Sequence, residues 1–182
     1  MLVQGTQTLL GVVSKGDSNG AGAVFELARN GGVWNETTFY AFCHYGYPCA
    51  DGDSPNNQLL VDPAGNLYGI TSNGGSEFNA GVVYKITPTG NETVLYTFCA
   101  NGDACADGAI PFGLSMDSSG NLFGTTASGG NQWQGGVAFE LERFPAGLNR
   151  DSHWMPEGRV LASDSACGGR HGQSVFIGFA RT

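Results

Sequence analysis

The chain has 182 residues, enough for one domain with a hydrophobic core. Aromatic residues make up 11% and charged residues only 13%, which excludes an extensively disordered chain. The net charge of −8 would repel a phosphate backbone and argues against a nucleic-acid partner. No apolar run is long enough to predict a membrane span, and the start, MLVQGTQTLLG, lacks the basic flank of a signal peptide.

The chain repeats itself along most of its length. Gly11, Gly69 and Gly124 occupy equivalent places, 58 and 55 residues apart. YAFC at 40–43 recurs as YTFC at 96–99, and CADG at 49–52 recurs at 105–108. The copies run over 1–58, 59–113 and 114–182, so residues 1–142 read as repeats, with 114–142 as the start of the third. Residues 143–182 diverge, either as the remainder of the third repeat or as a cap, although RVLASDSACGG weakly resembles TVLYTFCANGD.

Each copy predicts about four short β-strands and almost no helix. In the second copy the segments are QLLVD, NLYGIT, GVVYKIT and ETVLYTF, with alternating apolar and polar residues. DPAGN, TPTGN and DSSGN between such segments predict hairpin turns, in which Asp bonds its own backbone and Gly takes the positive φ.

Four strands per repeat of about 55 residues are typical of a propeller blade, whose faces must be covered by its neighbours. We therefore predict an all-β, propeller-like fold with three four-stranded blades. Three blades leave two open sides, and closed propellers have about 4–8 blades. A homodimer with six blades is the favoured completion; a longer array of which this chain is a part, or a tail that folds back as a cap, are alternatives.

Four of the five cysteines form two equivalent pairs, Cys43 with Cys49 and Cys99 with Cys105. A disulfide within each loop is favoured, and it implies an extracellular, periplasmic or cell-surface setting. Zinc is the alternative, although its sites use shorter spacings. Cys167 stands alone.

The pattern D-x-x-G-N-L-[YF]-G-x-T-x-x-G-G, followed by G-x-V-[YF]-x-[IL], V-L-Y-x-F-C and D-G, resembles the GloVer tandem repeat over about residues 1–142. More distantly it resembles NHL-type and gluconolactonase-type propellers. The resemblance implies a propeller-like β fold in a bacterial extracellular protein, and it implies no activity.

Repeated acids are candidate metal ligands. Carboxylates converging from several blades would suit calcium, which takes about 6–8 oxygen ligands. The candidates are Asp51, Asp53, Asp103 and Asp107. The alternative interpretation is turn chemistry, which is favoured for Asp51 and Asp107 and more strongly for Asp62 and Asp117.

Aromatic residues in the Gly-rich loops are candidate ligand contacts. Phe78 and Trp133 occupy similar places in GGSEFNAG and GGNQWQGG, where rings could stack on a carbohydrate or other small molecule, or plug the seam between blades. His153 and His171 lie in the divergent tail, and their spacing favours scattered polar residues over a catalytic arrangement.

Two functions follow from these patterns. The first is a secreted or surface-associated module for ligand binding or scaffolding. The alternative is a calcium-dependent hydrolase, most plausibly a lactonase, in which the metal polarises an ester carbonyl.

Overall fold

The computed structural model describes residues 7–16, 18–100, 102, 104–130 and 135–142, together with the backbone of strands at 2–3, 159–162 and 175–177. Every regular element in these residues is a β-strand. The strands are β1 Leu2–Val3, β2 Thr8–Val13, β3 Ala23–Asn30, β4 Val33–Ala41, β5 Asp53–Pro55, β6 Leu60–Val61, β7 Leu67–Asn73, β8 Val82–Ile86, β9 Glu92–Thr97, β10 Ala109–Met116, β11 Leu122–Ser128, β12 Ala138–Leu141, β13 Arg159–Ala162 and β14 Val175–Ile177. None of the described residues forms a helix that could span a lipid bilayer.

The strands form three antiparallel sheets in chain order. Sheet 1 is β1-β2-β3-β4; sheet 2 is β5-β7-β8-β9, with β6 also paired to β7; and sheet 3 is β10-β11-β12-β13-β14. Sheets 2 and 3 thus have five strands rather than the predicted four. In sheet 2 the first strand is split into two pieces, which both pair with β7, and in sheet 3 the tail contributes β13 and β14. Sheets 2 and 3 begin at Asp53 and Ala109, a few residues before the repeat boundaries of the sequence.

The Asp-x-x-Gly-Asn segments form the turns predicted for them. Oδ1 of Asp62 accepts hydrogen bonds from the backbone N–H of Ala64 and Asn66, both at 2.9 Å, and Oδ2 accepts one from the Asn66 side chain at 2.7 Å. These bonds hold the pKa of Asp62 below its ordinary value, although burial acts to raise it. Asp117 binds Ser119 and Asn121 in the same way. Asp62 and Asp117 are therefore turn residues.

A glycine and an aromatic residue face each other across the central strand pair of every sheet. The pairs are Gly11 with Phe25, Gly69 with Tyr84, and Gly124 with Phe139. At each glycine a Cβ atom would overlap the opposite ring, so the ring lies across the glycine backbone. This contact explains why N-L-[YF]-G and V-[YF] recur together in the sequence.

The sheets stack face to face, and sheet 2 is buried on both sides. Alternate residues of β8 point to opposite faces: Val82, Tyr84 and Ile86 pack with sheet 1, and Val83 packs with sheet 3. Phe42, just after β4, contacts Tyr84 with ring centroids 4.9 Å apart, and the equivalent Phe98 contacts Phe139 at 5.1 Å. The two seams are thus built by the same contact.

Candidate functional site

Two disulfides close the loops that follow the last strands of sheets 1 and 2. Cys43 is bonded to Cys49 and Cys99 to Cys105, each pair six residues apart. The disulfide prediction is confirmed, and the zinc alternative for these cysteines is excluded because their sulfur atoms are bonded to each other. Such bonds are consistent with a secreted or surface protein.

The repeated acids Asp51 and Asp107 anchor these loops. Oδ2 of Asp51 accepts hydrogen bonds from the Tyr40 hydroxyl at 2.9 Å and from the backbone N–H of His44 at 3.0 Å. Asp107 accepts from the Tyr96 hydroxyl at 2.8 Å and from the backbone N–H of Cys99 at 3.0–3.1 Å. The carboxylate therefore ties each loop back to the strand that precedes it.

The glycine of each CADG motif allows the chain to pass close to a buried threonine. Gly52 and Gly108 have φ of 103° and 101°, which favours glycine, and a Cβ atom on either would overlap Thr71 or Thr126. The hydroxyl of Thr71 accepts from the N–H of Val82 at 3.1 Å and donates to a backbone carbonyl of the same sheet at 2.8 Å. The repeated D-G is therefore explained by the fold.

The described candidate metal ligands, Asp51, Asp53 and Asp107, are not grouped in one cluster. Asp53 begins β5 and accepts a hydrogen bond from Ser54 at 2.9 Å, while Asp103 lies outside the described residues. In the part of the chain that the structure describes, no three His, Cys, Asp or Glu side chains are grouped so that they could hold a metal ion. Calcium binding stays a prediction.

The candidate aromatic contacts have different outcomes. Phe78 is half-exposed, and its ring lies against Gly102 in the second disulfide loop, where a Cβ atom would overlap it. The tip of the ring therefore lies against the loop, and 47% of the side chain is exposed to solvent. Trp133, together with His153, His171 and Cys167, lies outside the described residues.

The seam between sheets 1 and 2 carries a site that the sequence reasoning missed. A cavity of about 400 Å³ lies between the end of β4 with the first disulfide loop and the turn that enters β9. Its lining includes Tyr40, His44, Tyr45 and Glu92. Burial and, secondly, the charge of Asp51 raise the pKa of Glu92 to about 8.

Two signals in the sequence could have indicated this site. The first disulfide loop is CHYGYPC, whereas its equivalent is CANGDAC, so aromatic residues occur in one loop only. Tyr45 and Tyr47 of that loop are largely exposed. Glu92 is an acid at the start of β9, in a repeat whose faces were predicted to be covered by neighbouring repeats.

Antiparallel sheets that stack in chain order through one repeated contact define a tandem β-sheet repeat protein. The sequence model of the Gloeobacter/Verrucomicrobia repeat matches residues 1–149, and the chain belongs to that family. The match confirms the GloVer resemblance. Among curated proteins, none matches the chain significantly.

Proposed function

We propose that the chain is a module of a secreted or cell-surface protein, in which stacked repeats form a propeller-like scaffold that presents ligand-binding loops. The observation that carries this proposal is the difference in burial between equivalent faces. Tyr84 and Ile86 of sheet 2, and Phe139 and Leu141 of sheet 3, are buried. The equivalent residues of sheet 1, Phe25 and Leu27, are only partly buried.

The opposite end of the stack has the complementary open face. Tyr68 and Ile70 of sheet 2 are buried against sheet 3. Of the equivalent residues in sheet 3, Phe123 is only partly buried and Thr125 is exposed. The open face of sheet 1 is thus equivalent to the faces that a preceding sheet covers in sheets 2 and 3. The open face of sheet 3 is equivalent to the face of sheet 2 that the following sheet covers. A second copy placed head to tail would cover both faces and give six sheets.

The solution mass of the chain tests self-association. We expect the mass of a dimer by light scattering, and a monomer after Leu27→Glu, which places a charge on the open face of sheet 1. Thr37→Glu, on an exposed position of β4, is the control and keeps the dimer. A wild-type mass of one chain would overturn the six-sheet assembly.

Ligand binding is assigned to residues that differ between repeats, because shared residues such as Asp51 and Asp107 are engaged in the fold. Exposed rings at Tyr45, Tyr47 and Phe78 are suited to stacking on sugar faces. A glycan array tests this assignment, with Phe112→Ala as a control for an exposed ring outside these loops. Binding that survives loss of all three rings would refute it.

The calcium-dependent lactonase remains a prediction, and one assay separates it from the scaffold. Wild-type protein is incubated with a lactone panel and CaCl2, and we expect no saturable hydrolysis. Hydrolysis that disappears in a folded Asp107→Asn variant would overturn the scaffold proposal.

A further inference from the structure

The seam between sheets 1 and 2 concentrates buried oxygen atoms that lack hydrogen bonds. Among the described residues, the buried side-chain polar atoms without a partner are Oδ1 of Asp51, Oε1 of Glu92 and the hydroxyl of Tyr84. An unpaired buried polar group typically destabilises a protein by about 1–3 kcal/mol. Three such atoms at one seam therefore indicate that something else supplies partners there.

Asp51 and Glu92 are close enough for their charges to interact, since the charge of Asp51 helps to raise the pKa of Glu92. Asp51 is only 2% exposed. Its Oδ2 is bonded to Tyr40 and to the N–H of His44, and both residues line the cavity of about 400 Å³. Asp51 thus lies directly behind the cavity wall, while Glu92 forms part of the wall.

The second seam shows that the repeat does not require these unpaired oxygens. There both oxygens of Asp107 accept hydrogen bonds, from Cys99 and Tyr96. The position equivalent to Tyr84 is Phe139, which has no hydroxyl group. The unpaired groups therefore belong to the first seam alone within the described residues, and the repeat architecture does not explain them.

We propose that the cavity between sheets 1 and 2 binds a primary ammonium group, with Glu92 Oε1 accepting a hydrogen bond from it and the carboxylate of Asp51 attracting it from behind the wall. Carboxylate oxygens without partners need N–H or O–H donors, and a primary ammonium supplies three. A quaternary ammonium supplies none. The class of ligand is an alkylamine, such as a lysine side chain or a polyamine.

Two features favour an organic cation over a metal ion. Among the described residues no third potential ligand is grouped with Asp51 and Glu92, and calcium takes about 6–8 oxygen ligands. The cavity walls include Phe39, Tyr40 and Tyr45, and the ring of His44 lies edge-on to Tyr45 at 5.0 Å. Aromatic faces attract ammonium groups and pack against the alkyl chain that carries one.

The test titrates the full chain with n-butylammonium chloride at constant ionic strength, followed by calorimetry and amide chemical shifts. We expect saturable binding, with shifts at His44, Tyr45 and Asn91. Tetramethylammonium chloride has the charge without N–H donors, and CaCl2 supplies a metal. Both should bind at least tenfold more weakly. Equal binding of tetramethylammonium, preferred binding of calcium, or no saturable binding would overturn the proposal.

A bound ammonium group displaces the proton of Glu92 and keeps this carboxyl group ionised. Glu92→Gln keeps the size of the side chain but cannot ionise, and it should lower butylammonium affinity at least tenfold. The matched control is Glu36→Gln, at the equivalent position of the first repeat, where the side chain is exposed. Its affinity should equal that of the wild type. Wild-type affinity in a folded Glu92→Gln protein would refute the assignment. Because the measurement needs neither dimers nor glycans, failure here is distinct from failure of the proposed scaffold.

Discussion

The Tyr84 hydroxyl gives a direct test of how the first seam is packed. Tyr84 is fully buried, its hydroxyl has no hydrogen-bond partner among the described residues, and burial raises its pKa. The equivalent residues of the other repeats are Phe25 and Phe139, so the position accepts phenylalanine. Tyr84→Phe removes one oxygen atom and leaves the ring in contact with Phe42 at 4.9 Å.

The expected result is a gain in stability. An unpaired buried hydroxyl group destabilises the folded state by about 1–3 kcal/mol, and the small void left by the oxygen offsets part of the gain. We expect the free energy of unfolding to rise by about 1 kcal/mol and the melting temperature to rise by about 3 °C. Urea unfolding followed by tryptophan fluorescence measures the first quantity, and calorimetry measures the second.

Tyr68→Phe is the matched control, because the same atom is removed from a different environment. Tyr68 is also buried, but its hydroxyl donates a hydrogen bond to Asp62 at 3.0 Å. This change should lower stability by about 1–2 kcal/mol. Equal losses in the two variants would show that the Tyr84 hydroxyl has a partner, and the reasoning about the first seam would be wrong.

Three further perturbations test other parts of the fold. Gly124→Ala places a methyl group in the Phe139 ring and should lower stability by at least about 2 kcal/mol in urea unfolding, whereas Gly135→Ala, where the methyl group meets open space, should change it by less than about 1 kcal/mol. Reduction of the two disulfides, each linking residues six apart, should lower stability by about 2 kcal/mol per bond; an unchanged melting temperature in dithiothreitol would contradict this. The pKa of Glu92 is raised from its ordinary 4.5 to about 8, so the folded state binds this proton more tightly than the unfolded state. Its contribution is complete below pH 4.5 and is lost as the pH rises to about 8; allowing for solvent screening it amounts to about 1–2 kcal/mol, and Glu92→Gln should flatten this part of the stability profile.

The local structure could be predicted from the sequence because it depends on short-range chemistry. The Asp62 and Asp117 turns follow from an Asx side chain that bonds its own backbone within four residues. The disulfide loops follow from paired cysteines, and the strands follow from alternation. The sequence repeats also predicted that neighbouring units cover one another, as sheet 2 shows.

The seam cavity could not be predicted in the same way. Glu92 reaches the neighbourhood of Asp51 only because two sheets stack in a particular register, and no periodicity encodes that distance. The sheet boundaries at Asp53 and Ala109 could not be predicted either. The motif that repeats most clearly, D-x-x-G-N, begins at Asp62 and Asp117, after the first strand of each sheet. The fifth strand of sheet 3 comes from the tail, where sequence similarity between repeats is lost.

The paired contact of Phe42 with Tyr84, and of Phe98 with Phe139, has a consequence for how such chains can lengthen. In each unit the phenylalanine that follows the last strand, Phe42 or Phe98, packs against the next unit. The aromatic residue of the next unit that it contacts is Tyr84 or Phe139. Duplication of a coding segment of this period would therefore yield a chain whose added junction is complementary from the start. Growth by copying needs no compensating substitutions at that junction, and each copy is then free to diverge in its loops.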